Sequence, residues 1–152
     1  MPIEKKQIAI VTERIAPFYR GGAEEVMYNY AEILVKQFDV SVFTSFDFET
    51  ASKKLRNVKF NYISRKIKNS NRKGNHSLTG ILSFSVAVLL HRRFIVDFDV
   101  VILDSIHYFY PKSLLKYLKK KNCKIITIFH SHLKIQICGS SFSAPGFQYF
   151  FL

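Results

Sequence analysis

Acidic side chains are scarce in this sequence of 152 residues, where 11 Asp and Glu stand against 23 Lys and Arg for a formal net charge of +12. Such a balance draws anions, whether phosphate groups, nucleic acid or acidic lipid headgroups. The shortage is uneven. Residues 1–60 hold 9 basic and 8 acidic side chains, whereas residues 61–152 hold 14 and 3, so an anionic partner is expected to meet the second half. Cysteine is rarer still, with two. Cys123 and Cys138 sit in unrelated contexts without metal-ligand spacing, which argues against a disulfide framework and suits a reducing compartment. No apolar signal core follows the short charged start Met1–Gln7. A bilayer-length apolar run is also missing: Leu78 to Leu90 is interrupted by Ser83 and Ser85 and ends in His91, Arg92 and Arg93, which fits a buried or interfacial helix better. A cytoplasmic chain, with a peripheral seat at a membrane as an option, is the expectation.

Two phosphate-binding signatures are absent as well. No GxGxxG follows the first strand-like run and no GK[ST] is present, which withdraws support from the dinucleotide enzymes and the P-loop class. An epimerase or dehydrogenase would also need a Tyr-xxx-Lys pair; Tyr117 and Lys121 stand at that interval, but the glycine turn that goes with it is missing.

What is present is an alternation of apolar runs and helical periods. Ile8 to Val11 is an unbroken apolar run of strand length, expected to be buried on both faces. Pro17 and the pair Gly21–Gly22 break the chain, and Ala23 to Phe38 then carries Val26, Tyr30, Ile33, Leu34 and Phe38 close to helical spacing. Val40–Thr44, Val58–Ile63, Val100–Leu103 and Lys124–Phe129 read as further strands, and Leu78 to about Phe94 and Lys112–Lys120 as helices. Strands alternating with helices predict an α/β fold, a Rossmann-like parallel sheet flanked by helices. With 48% hydrophobic residues the chain can bury one sizeable core, placed over residues 1–132. Residues 133–152 lack any acidic residue or clear period and read as an atypical, truncated or frame-shifted tail. The basic stretch Arg65–Asn75 reads as a loop.

Three constellations are candidates for a site, because ligands of open α/β sheets bind just beyond the carboxyl ends of the strands. Gly21 and Gly22 precede a helix, where backbone N–H groups and the helix dipole favour a diphosphate; the alternative is that they only supply turn dihedrals. His130, Ser131 and His132 follow the run Ile125–Phe129, with capping and solvent exposure as the plain reading. Metal is not expected there, since no carboxylate or third histidine lies nearby in sequence. Asp104, Ser105 and His107 follow Val100–Leu103 and could bond sugar hydroxyls or cap a helix. The basic groups Lys66, Lys68, Arg72, Lys73, Arg92, Arg93 and Lys119–Lys121 are either solvated or form a patch for anionic headgroups. Nucleic acid is not expected, as no recognised motif accompanies the charge.

From Gln7 to His132 the chain resembles the family-four type of retaining glycosyltransferases, whose GT-B architecture places two Rossmann-like domains across a cleft. The resemblance rests on the strand, loop and GGAE opening at Gly21–Glu24, the strand Val40–Thr44, the FDVVILD segment and the strand ending in FHSH. It implies an N-terminal, acceptor-side domain, with Gly21 and Gly22 near the donor diphosphate and His130, as the catalytic candidate, beside the transferred sugar. Tyr19, Arg20, Asp104 and His107 become acceptor-side candidates. The implied partners are a nucleotide-sugar, a lipid or polysaccharide acceptor and an anionic membrane surface; neither cofactor nor metal is implied. Family members carry a second domain with paired glutamates that hold the donor, and nothing in this sequence matches it. The isolated chain is accordingly expected to be inactive. The other reading is a non-catalytic Rossmann-like module that completes a site with a separate donor-binding chain.

Overall fold

The computed structural model describes residues 5–16, 22–45, 54–64, 78–104, 112–121, 123–129, 136–137, 140–141 and 148–151. The apolar run at the start forms β1 (Gln7–Val11), in which Ala9, Ile10 and Val11 are fully buried. A strand can be apolar on both faces only where both faces are covered, and β1 meets that condition at the centre of the sheet. It pairs in parallel with β2 (Asp39–Ser45) on one side and β4 (Val100–Asp104) on the other. β3 (Lys59–Ser64) flanks β2 and β5 (Lys124–Phe129) flanks β4, both parallel, giving five parallel strands in the order β3-β2-β1-β4-β5. Burial along β3 falls to intermediate and exposed values, as suits an outer strand.

Two cores occupy the two faces. Ile8, Ile10, Val40, Val42, Ile102 and Ile128 join Met27 and Ala31 of helix α1 (Gly22–Leu34). On the other face, Ala9, Val11, Phe43, Val101, Leu103 and Ile125 pack with Phe84 and Val88 of α2 (Leu78–Leu90), Ile95 of α3 (Arg92–Ile95), and Leu114 and Leu118 of α4 (Lys112–Lys120). Phe43 meets Phe98 edge to face, with ring centroids 5.6 Å apart. Full burial of such side chains contributes about 1.5–3 kcal/mol each. These helices flank a Rossmann-like parallel sheet, and the expected α/β class is the class observed.

The helix expected to run unbroken from Leu78 to about Phe94 is interrupted at His91. Its backbone N–H and its Nδ1 both address the Ala87 carbonyl, at 3.0 and 2.8 Å, and only an N–H can satisfy that oxygen. His91 itself sits at φ −90, ψ 6, outside helical geometry, and Phe94 N bonds back to His91 O at 3.0 Å with three-residue spacing. α2 therefore stops at Leu90 and the short α3 starts afresh, turning Ile95 into the core.

Beyond residue 132, β6 (Gln136–Ile137) and β7 (Ser140–Ser141) form a small antiparallel ribbon. β8 (Gln148–Phe151) joins the main sheet antiparallel to β5, from Ile126↔Phe151 to Phe129↔Gln148. The sheet thus draws its sixth strand from the segment set apart as a tail in the sequence reading.

Candidate ligand site at the switch point of the sheet

Strand order reverses at β1, since β2 and β3 lie on one side of it and β4 and β5 on the other. The carboxyl ends of β1 and β4 meet at this switch point, where open α/β sheets form their binding crevice. Thr12 leaves β1 and Asp104 ends β4, and the Thr12 hydroxyl lies 2.8 Å from Asp104 Oδ2 and 2.7 Å from the Arg14 carbonyl. One hydroxyl hydrogen faces two acceptors there, so Thr12 ties the strand end and the loop behind it to a single carboxylate. Both residues are buried.

The loop after β1 is polar in sequence yet buried throughout from Thr12 to Ala16. Backbone groups inside a protein must find partners, and the Glu13 carbonyl finds three. It accepts hydrogen bonds from Thr44 Oγ1 at 3.0 Å, Ser45 Oγ at 2.6 Å and Ser45 N at 3.3 Å. The β2–β3 register shifts between Thr44 and Ser45, the same two residues that turn to hold this carbonyl. Ala16 N bonds to Glu24 O at 3.2 Å, which fixes the far end of the loop to the first turn of α1.

Three charged side chains are carried into this region, with Arg14 at 5%, Glu13 at 7% and Glu24 at 9% exposure. Arg14 Nε stands 4.0 Å from Glu13 Oε2. Burying charge is costly unless it is compensated, and their concentration beyond the carboxyl ends of β1 and β2 makes this the most polar part of the described interior. Among the described residues, no group of three His, Cys, Asp or Glu is arranged to hold a metal ion.

Of the residues singled out from the sequence, Gly22 and Asp104 are placed. Gly22 is the first residue of α1 and is exposed, and a Cβ added there would meet nothing within 4 Å. Its φ is outside the left-handed range, so neither crowding nor turn geometry demands glycine at 22. Asp104 is a buried member of the Thr12 pair at the strand end. Tyr19, Arg20, Gly21, His107 and His130 lie outside the described residues. Thr12, Glu13, Arg14, Thr44 and Ser45 were not singled out. Their signal was three polar residues directly after a wholly apolar strand, which reads equally as an ordinary solvated turn.

No family model matches this chain, and no curated protein does. Among solved structures, the C-terminal domain of a hydrogenase from Pyrococcus furiosus is similar, with a TM-score of 0.53 at 16% identity, covering 84% of this chain and 95% of that one. Likeness at that identity is a likeness of fold. It agrees with the α/β class and carries no chemistry across. No helix among the described residues is long and apolar enough to cross a membrane.

Proposed function

We propose that this chain is the acceptor-side domain of a retaining glycosyltransferase that moves a sugar from a nucleotide-sugar to a lipid or polysaccharide acceptor. The observation that carries the reading is the switch point of the sheet, where the buried Thr12–Asp104 pair joins the carboxyl ends of β1 and β4 and the chain after β1 leads to α1, which opens at an exposed Gly22. The order of motifs along the sequence supplies the rest.

In this reading the N-terminus of α1, where a Cβ on Gly22 would meet nothing within 4 Å, receives a diphosphate, because backbone N–H groups of the first helical turn and the helix dipole favour negative charge. Thr12 and Asp104 tie the ends of β1 and β4 together beneath the ligand, and the triply bonded Glu13 carbonyl holds the start of the segment after β1 to the end of β2. His130 addresses the transferred sugar. Departure of the diphosphate is assisted by hydrogen-bond donors already in position, the main source of rate in such transfers. A second domain or a separate chain holds the nucleoside, and this chain alone binds it weakly.

The test is a titration of isotopically labelled full-length chain with a uridine or guanosine diphosphate sugar, and with NAD as control, followed by amide NMR. Expected are shifts confined to Gly22–Glu25 and Thr12–Arg14, saturating around 1 mM, an affinity of about 4 kcal/mol that suits half a site. No localised shift with either sugar nucleotide, or an equal response to NAD, overturns the reading.

A further inference from the structure

The described residues expose six large hydrophobic side chains, and four of them, Leu82, Val86, Leu90 and Phe94, fall at four-residue intervals along α2 and α3. Side chains four apart lie on one face of a helix, so Leu82, Val86 and Leu90 form a row, exposed at 58%, 55% and 74%. Phe94, at 65%, continues the spacing past the His91 break. The opposite face is committed, because Phe84 and Val88 are fully buried against the sheet. α2 is therefore apolar on both faces, whereas a helix covering a sheet ordinarily turns a polar face outward. Its thirteen residues, LTGILSFSVAVLL, include no charged side chain.

Charge names what covers the row. From Arg65 to Val96 the sequence holds seven Lys and Arg and no Asp or Glu. Arg92 and Arg93 are exposed at the start of α3, two and three residues past Leu90, and Arg92 lies over the Tyr117 ring of α4 with Cζ 5.4 Å from the centroid. Of the acidic residues that follow, Asp97 lies beyond α3 and Asp99 accepts a hydrogen bond from Gln7 N at 2.8 Å. An apolar row edged by cations, on a chain of net charge +12, repels a second copy of itself and attracts an anionic surface.

We propose that the outer face of α2 and α3 docks on an anionic lipid bilayer, lying flat in the interface with Leu82, Val86, Leu90 and Phe94 among the acyl chains and Arg93 at the headgroups. Thirteen residues span about 20 Å, short of the roughly 30 Å hydrocarbon core, and the packed inner face keeps the helix parallel to the membrane. This surface is distinct from the switch point, and the proposal stands whether or not the chain is part of a transferase.

The experiment is flotation of the full-length chain with vesicles of phosphatidylcholine alone and with about one third phosphatidylglycerol, alongside analytical ultracentrifugation without lipid. Binding to the anionic vesicles only is expected. The triple change L82Q, V86Q and L90Q loses it at least tenfold with unchanged circular dichroism, since all three side chains are exposed. Arg93→Ala lowers it about fivefold, as expected for one cation at the headgroups, and leaves the apolar row intact. Failure of the native chain to float with anionic vesicles overturns the proposal. So does binding that the triple variant retains, or a dimer in the absence of lipid that the triple variant abolishes.

Discussion

Replacing Thr12 by valine keeps the shape of the side chain and removes one hydroxyl from the point where β1 and β4 separate. That hydroxyl lies 2.8 Å from the Asp104 carboxylate and 2.7 Å from the Arg14 carbonyl, in a place closed to water. Hydrogen bonds to charged groups contribute about 1.5–3 kcal/mol, and a buried acceptor left without its donor costs about 1–3 kcal/mol. Loss of roughly 3 kcal/mol is therefore expected, or a fall in melting temperature of about 6–12 °C for a domain of this size. Thr12→Ser retains the hydroxyl and gives up one buried methyl, a loss of about 1 kcal/mol. Urea unfolding followed by circular dichroism compares the two at constant m-value. A T12V protein within about 0.5 kcal/mol of the parent, or one no less stable than T12S, would refute the claim that this pair joins the strands.

Phe84 is the largest of the fully buried side chains, and F84A is expected to destabilise by about 3–5 kcal/mol in the same assay, without altering the exposed row on the other side of α2. Burial, and after it the Asp99 carboxylate, raise the Cys123 thiol above its ordinary value, against an opposing Val101 backbone hydrogen bond. The folded state thus holds that proton more tightly than the unfolded state. Its contribution to stability is complete below the ordinary thiol pKa and is lost as pH rises through the folded value. In a Cys138→Ser background, iodoacetamide should label Cys123 more slowly in the native protein than in urea at the same mildly alkaline pH, and equal rates would contradict the burial argument.

The parallel sheet was legible because its strands are buried on both faces. Ile8–Val11 and Val100–Leu103 announce themselves as continuous apolar runs, and the helix Lys112–Lys120 by Leu114 and Leu118 at four-residue spacing. The buried polar pair at the switch point was not legible. Thr12 and Asp104 are partners across 92 residues, and a local reading of a Thr-Glu-Arg turn contains nothing of the strand order that closes water out of it. The break at His91 coincides with a ring nitrogen that joins the backbone N–H at the Ala87 carbonyl, which no apolar period records. β8 falls in the same class, because its place is decided by the edge that β5 presents rather than by any pattern in Gln148–Phe151.

The central position of β1 also bears on how the chain is made. Its parallel neighbours are β2, complete at Ser45, and β4, complete only at Asp104. At a synthesis rate of about 5–20 residues per second, roughly 5–20 s pass between the emergence of Val11 and that of its last partner. During that interval the most apolar strand has one edge open, within reach of any similar segment on a neighbouring ribosome. Expression yield should therefore depend on how well nascent-chain chaperones shield the first hundred residues during translation, more steeply than on the equilibrium stability of the finished domain.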